Sequence, residues 1–393
     1  MSLKVGIHAV SSKSGGAATY IKNLTQELTK LNSSYRFVFF VPDPLTTTLE
    51  KCGENVEIIG TRIGNKSPWK RFLWDQVVWR RIVHERHLDV LVSVSDFGLL
   101  HPPCRQILMI RNALFFSSRY RENILPRMSV KFKIIYHLKR LLVQLSVTSA
   151  DIVMFASKSM LLDVNRCIAL PAERASVNYF GVPLERFRHR SLGEPEGQIA
   201  SKKLFRILYV SEYSDYKNLT TLLRAILLLR ERGVDDVRLV STLDPSQFPD
   251  VEVSSRVEDI RLSTHPLVAS AVKFVGAVPY DDIPQLYAQA DLFVFSSLVE
   301  SFGHPLVEAM ASGLAILASD IPLCREICGD AAVYFSPLDP NDLADKVVSM
   351  QINPDRREEL GKLGRERSME LFDWKDHVKR LLDLIDKTAK ENE

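Results

Sequence analysis

The chain has 393 residues, 46% apolar and 25% charged, with a net charge of only +3. That balance fits a globular protein of two domains and excludes fibrous and disordered classes, and so small an excess of basic residues gives no nucleic-acid signature. The five cysteines, an odd number at irregular spacings, make no disulfide framework and point to reduced thiols in a cytosolic setting. Cys324 and Cys328 lie four apart with no second pair nearby, so they read as thiols rather than metal ligands. The start of the chain lacks the layout of a signal peptide. No apolar run approaches the ~20 residues of a membrane span.

Val5–Val10 reads as a first strand, Ser11–Gly16 as a loop carrying Gly15 and Gly16, and Ala17–Lys30 as a helix. Further strands are expected at Tyr35–Val41, Val56–Ile59, Val90–Val94 and Ile107–Ile110. Strands alternating with helices make an α/β doubly wound domain, whose ligands sit at the carboxyl ends of parallel strands. Arg111 and Asn112 stand at such an end. Asn112 can hydrogen-bond a sugar hydroxyl or simply occupy a turn, and Arg111 can face phosphate, an acidic acceptor or solvent. Asp96, after the preceding strand, is an acceptor contact, a general base or a loop cap.

Two basic stretches follow the same logic as each other. Trp69–Arg81 carries three tryptophans among cations. Arg119–Arg140 sets seven cations against Glu122 alone, interleaved with Phe132, Ile134, Ile135, Tyr136 and Leu138. A basic helix with an apolar face suits an anionic membrane surface. An RNA surface and a core helix with a solvated charged side are the other readings. Asp151–Ser157 and Val177–Pro183 read as the last strand regions of this half, and polar Leu184–Lys203 as a linker.

The second half opens on the buried strand Phe205–Val210, a loop containing Glu212 and Lys217, and a helix Leu219–Glu231. Strands are expected at Val237–Ser241 and Val272–Gly276, with a polar irregular insert between Ser241 and His265. Val278 and Tyr280 precede a helix Ile283–Gln289. Leu292–Phe295 is an unbroken apolar run, as expected of a strand buried on both faces. After it come Glu300, Phe302, Gly303 and His304, then Pro305 opening a helix that runs Leu306–Ser312, with Glu308 on its first turns and Gly313 as its cap. Ala315–Ala318 is the next strand. A glycine-containing loop at a helix N-terminus is suited to phosphate. Two helices are expected after Pro340, the last from Trp374 onward.

Glu300 and Glu308, set in Glu-Ser-Phe-Gly-His-Pro-Leu-Val-Glu-Ala-Met-Ala-Ser-Gly, resemble the signature of the retaining, nucleotide-sugar-dependent glycosyltransferases of the GT-B fold (the group 1, or family 4, type). The likeness continues through Arg325-Glu326-Ile327, Gly329–Ala332 and Asp339–Ala344. It covers the C-terminal half well and the N-terminal half loosely.

The resemblance implies an α/β chain of two Rossmann-like doubly wound domains facing across a cleft. The first, acceptor-binding domain would be 1–185, the linker 186–203, the nucleotide-sugar domain 204–365, and 366–393 a helix crossing back to the first. It further implies Glu300 and Lys217 as catalytic residues. Glu308, with its carboxylate outward, would hold the ribose hydroxyls. Backbone N–H groups from Phe302 through Gly303, His304 and Pro305 to Leu306 would hold phosphate or sugar. Gly15 and Gly16 would let donor and acceptor approach, Arg111 and Asn112 would contact substrate, and Val278 or Tyr280 would lie near the base.

Three positions depart from the family pattern. Arg111-Asn112 replaces a histidine near the donor sugar, Glu212 replaces an arginine for the diphosphate, and His304 stands where leucine is commoner. The implied activity is transfer of a hexose, GDP-mannose being the donor guessed, to a glycan or lipid-linked acceptor in cell-envelope polysaccharide synthesis. No cofactor and no metal is expected, and no nucleic-acid partner. The expected location is cytoplasmic, peripheral on the inner face of the membrane through Trp69–Arg81 and Arg119–Arg140. The alternatives are a non-catalytic GT-B subunit that binds sugar nucleotide and a nucleotide-sugar epimerase. A nicotinamide dehydrogenase is disfavoured because Gly-x-Gly-x-x-Gly is missing.

Overall fold

The computed structural model describes residues 2–13, 15–31, 34–49, 53–187, 204–248 and 255–390. Within it the chain divides into two compact units. The first comprises Met1–Phe116, Ile134–Gly181 and Trp374–Glu393, and the second Ser117–Lys133 and Val182–Asp373. Most of the expected linker, 188–203, lies outside the described residues.

The first unit is built on seven strands: β1 Leu3–His8, β2 Tyr35–Pro42, β3 Val56–Thr61, β4 Val90–Ser93, β5 Arg105–Ile110, β6 Ile152–Phe155 and β7 Ala175–Val177. Their order is β3-β2-β1-β4-β5-β6-β7, all parallel. β4, β5 and β6 are apolar runs because helices cover both faces, and nearly every residue in them is buried. The helix Gly15–Thr29 follows β1, and the last helix, Trp374–Lys390, packs against it.

The second unit holds β8 Phe205–Tyr209, β9 Val237–Ser241, β10 Val272–Phe274, β11 Leu292–Phe295, β12 Ile316–Ser319 and β13 Ala332–Phe335. Its order, β10-β9-β8-β11-β12-β13, is again all parallel. This is the doubly wound order 3-2-1-4-5-6, which reverses between its first and fourth strands. Ile207, Leu239, Leu292, Val294 and Leu317 meet Leu222, Leu223 and Ile226 of the helix Leu219–Glu231 in one core. Burying each such side chain fully contributes roughly 1.5–3 kcal/mol.

Several local expectations change. The segment between Ser241 and His265 is not irregular throughout: Arg256–Thr264 is a helix. It lacks an apolar stripe because polar contacts anchor it. The buried Asp259 accepts hydrogen bonds from Tyr213 Oη at 2.7 Å and Thr220 Oγ1 at 2.5 Å. After Pro340 there are three helices rather than two, Pro340–Ile352, Pro354–Leu371 and Trp374–Lys390. Pro354 starts a new helix where a continuous one would need its N–H. Arg119–Arg140 is likewise not one helix: Ser118–Asn123, a tight turn Leu125–Arg127 containing Pro126, and Val130–Ser149 share it.

Trp69–Arg81 loses its aromatic face. Trp79 is 1% exposed, with its ring edge-on to Phe40 at 3.9 Å, and Trp74 packs against the same core. A π-helical turn over Asp75–Trp79 adds a residue to the helix and swings these rings inward.

Candidate active site

In the second unit the loops that follow β8 and β11 flank the strand reversal, where this sheet type takes its ligands. After β8 a tight turn, Asp215–Lys217, ends at Asn218 in the left-handed conformation (φ 56°, ψ 46°). That geometry is uncommon for a residue with a side chain, and the surroundings hold it there. Asn218 Nδ2 donates to the carbonyls of Ser296 (3.2 Å) and Pro337 (2.6 Å), while its Oδ1 accepts from Thr221 Oγ1 (2.9 Å). Ser296 Oγ and Tyr209 Oη both donate to the Lys217 carbonyl, at 2.8 and 3.0 Å. The two loops are thus fastened to each other before any ligand arrives.

Their charged ends meet. Lys217 Nζ forms an ion pair with Glu300 Oε1, which also accepts from Ser297 Oγ at 3.0 Å. Burial alone would lower the Lys217 ammonium, but the neighbouring charge of Glu300, with Tyr216 and Tyr209, outweighs it and pushes the value up. Lys217 therefore stays charged at any physiological pH. Glu212, at the position where an arginine was expected, is exposed.

The helix His304–Ala311 begins at Gly303, which caps it in the left-handed region (φ 80°, ψ 58°). Glycine enters that region without steric cost. Of the expected backbone donors from Phe302 to Leu306, Pro305 has no N–H and the N–H of Leu306 donates to the Gly303 carbonyl at 2.9 Å. The side chains of Phe302 and Leu306 are core, at 1% and 0% exposure, and offer a ligand only backbone. His304, at the first helical position, lies edge-on to Phe302 at 5.0 Å.

Glu308 corrects the sequence reading. Its carboxylate does not point outward; the residue is 4% exposed and accepts a hydrogen bond from Tyr287 Oη at 2.9 Å. Burial pushes the carboxyl up to about 7, against the opposing pull of Tyr287, Tyr280 and Arg186. Arg186 stacks over the Tyr280 ring at 5.0 Å and pairs with Asp281 at 2.5 Å. Tyr280 therefore belongs to the surroundings of Glu308, and Val278 is half-buried two residues before it. Sequence reasoning missed Asn218, Tyr287 and Arg186. Of these, only Asn218, between a lysine and a helix start, carried a local signal, as a cap.

The first unit gathers its own candidates. Gly15 and Gly16 begin the helix after β1, and no atom lies within 4 Å of where a Gly16 Cβ would be. Arg111 and Asn112 end β5, and both backbone N–H groups donate to Asp96 Oδ1, at 2.8 and 2.9 Å. Asp96 thus serves as a loop brace. Among the described residues no group of three or more His, Cys, Asp or Glu is placed to hold a metal. No described helix is long and apolar enough to cross a membrane.

Comparison with solved structures places this architecture in the GT-B fold. One of Anabaena Alr3699/HepE in complex with UDP-glucose superposes with a TM-score of 0.71 at 17% identity, covering 98% of this chain and 100% of that one. Residues 194–367, the segment that builds the second unit's site, match the family model of the group 1 glycosyl transferases. The chain is 40% identical over 72 residues to O-antigen chain mannosyltransferase B of Escherichia coli, 18% of each chain. It is 22% identical over 306 residues to the O-antigen chain mannosyltransferase RfbU of Salmonella typhimurium, 78% of this chain and 79% of that one. Alignments to three of the curated relatives span 18%, 65% and 51% of those proteins' own lengths.

Proposed function

We propose that the protein is a hexosyltransferase that moves a sugar from a nucleoside diphosphate to a glycan or lipid-linked acceptor in cell-envelope polysaccharide synthesis, with retention at the anomeric carbon. The observation that carries this reading is the Lys217–Glu300 pair. It is fastened across the strand reversal of a group 1 family segment, beside the N-terminus of a helix capped by Gly303.

In this reading the helix N-terminus and Lys217 take the diphosphate, whose charge grows as the sugar leaves. Fixed donors at that point act where charge develops, and losing one typically costs roughly 2.7–4 kcal/mol. Lys217 exchanges part of its pairing with Glu300 for the diphosphate, which frees Glu300 for the sugar hydroxyls. Ionised Glu308 accepts from the ribose. The lysine and the helix dipole stabilise the leaving group without a metal. GDP-mannose is the favoured donor because both O-antigen relatives are mannosyltransferases. The HepE complex makes a UDP-sugar the alternative.

A place on the inner face of the membrane is part of this reading, and the helix Val130–Ser149 supports it. It carries four cations and no carboxylate. Ile134, Leu138, Leu141 and Leu145 recur on one face of it at 62, 43, 50 and 42% exposure. Such a face buries its apolar stripe in the acyl boundary while the cations meet anionic headgroups.

A thermal-shift screen with GDP, UDP, dTDP, ADP and their sugar conjugates tests the donor assignment on wild type and Glu308→Ala. A ligand at a hundred times its Kd adds about 2.7 kcal/mol. One nucleotide family that stabilises wild type and leaves the variant unmoved is the expected result; no shift with any of them overturns the assignment.

A further inference from the structure

Arg111 is a cation with an aromatic bed, a carboxylate nearby in Asp96, and no ion pair among the described residues. Its guanidinium carbon lies 5.2 Å from the centre of the Tyr20 ring and 5.5 Å from that of Phe180. Among the described residues the guanidinium donates no hydrogen bond; the only hydrogen bond at Arg111 is from its backbone N–H to Asp96. Burial lowers the guanidinium below its usual value, and the nearby Asp96 and the Tyr20 phenol only partly offset that. A half-buried charge without a hydrogen-bonded partner costs stability unless something completes it.

The bed is rigid. Tyr20 Oη and His377 Nε2 are 3.0 Å apart, and His377 Nδ1 is 2.8 Å from the Tyr179 carbonyl oxygen. The carbonyl can only accept, so Nδ1 carries the proton and Nε2 accepts from the tyrosine. Burial holds the imidazole down at about 3, so the ring stays neutral. Tyr20 is also edge-on to Phe180 at 5.3 Å. The rings beneath Arg111 are thus themselves held in place, by hydrogen bonds through His377 and by ring contacts.

Asn112 completes the chemistry. Its Oδ1 is already engaged, accepting from the Leu114 N–H at 3.0 Å as the cap of a tight turn. With one lone pair of that oxygen occupied, Arg111 and Asn112 together present N–H groups in excess over acceptors: the guanidinium and the amide Nδ2, neither of which donates a hydrogen bond among the described residues. A sugar hydroxyl asks for both, whereas an oxyanion asks only for donors.

We infer that Arg111 and Asn112 form an oxyanion-binding subsite in the first unit, at the carboxyl end of β5, which takes a phosphate or carboxylate carried by the acceptor. That this oxyanion belongs to an acceptor rests on the transferase reading above; the subsite itself does not. Selection there is for a charged acceptor over its neutral counterpart.

The test titrates the full chain at constant ionic strength with mannose 6-phosphate, glucuronate and glucose, following binding by calorimetry. Wild type, Arg111→Lys, Arg111→Ala and Asn112→Asp are compared. Aspartate caps a turn as well as asparagine does, so Asn112→Asp keeps the fold and reverses only the donor. The expected result is that one of the two anions binds wild type at least about tenfold more tightly than glucose. Arg111→Lys keeps part of that preference, because the charge survives and the fork does not. Arg111→Ala and Asn112→Asp abolish it. The anion that binds decides between phosphate and carboxylate. Equal binding of all three sugars to wild type, or an unchanged preference in Asn112→Asp, overturns the inference. Nucleotide stabilisation of the same variants is measured in parallel. Its loss in wild type would sink the transferase reading and leave the anion result standing.

Discussion

Glu308 is a carboxylate placed where charge is expensive, and on the proposed reading its environment makes donor recognition depend on pH. Its folded value near 7 lies above the ordinary carboxylate range. Between about 4.5 and 7 the folded state therefore holds a proton that the unfolded state has lost, and stability falls as pH rises through that window. Relative to Glu308→Gln, wild type should lose about 3 kcal/mol between pH 4.5 and 8, read as the difference between the two proteins' urea unfolding curves. The ligand sees the opposite trend. A ribose hydroxyl donates more strongly to an ionised carboxylate than to a neutral carboxyl, so nucleotide affinity of wild type should tighten as pH rises through about 7, while that of Glu308→Gln stays flat. Parallel pH profiles for the two proteins would refute the assignment. Nothing in the spacing of Glu300 and Glu308 announced this burial. Tyr287 closes on the carboxylate from another helix, and a contact between side chains 21 positions apart leaves no local periodicity to read.

At the scale of elements, the strand Leu292–Phe295 was legible as an apolar run buried on both faces, Val237–Ser241 as a shorter strand whose burial alternates, and the helix Leu219–Glu231 from its 3.6-residue spacing. Arg256–Thr264 was not legible, because its helix is held by polar contacts to Asp259 rather than by an apolar stripe. Trp69–Arg81 misled for the converse reason: a π turn changes the face on which residues three and four apart meet, so aromatic residues counted as surface became core. The helix Val130–Ser149 keeps its exposed stripe, and it makes a prediction of its own. Leu138→Gln combined with Leu141→Gln should remove most of the chain's binding to vesicles containing phosphatidylglycerol, measured by co-sedimentation. Cation replacements at Lys131 and Lys139 should weaken it by ~1 kcal/mol each and make it less sensitive to salt. Equal sedimentation with neutral phosphatidylcholine vesicles would count against the charge component.

Across the whole molecule, acid acts on the two units in opposite directions. His377 is held neutral in the first unit, its value lowered to about 3 by burial. The unfolded chain gains a proton there below about 6.5 and the folded chain does not, so this contribution is present above 6.5 and is lost as pH falls. Amide exchange corrected for pH should show weaker protection of Gly15–Thr29 and Trp374–Lys390 at pH 5 than at pH 7.5, by up to about 2 kcal/mol. Unchanged protection there would mean that the imidazole takes up its proton without leaving its partners. The same helix that carries His377 has a consequence for how the protein is made. A ribosome releases Leu3–Gly181 long before Trp374–Lys390, so Tyr20 can meet Arg111 and Phe180 early but meets its hydrogen-bond partner His377 only once Trp374–Lys390 emerges. Nearly all of the second unit is synthesised between these two parts of the first. A nascent chain stalled before Trp374 therefore leaves uncovered the part of Gly15–Thr29 that packs against Trp374–Lys390, an interval in which a chaperone would act.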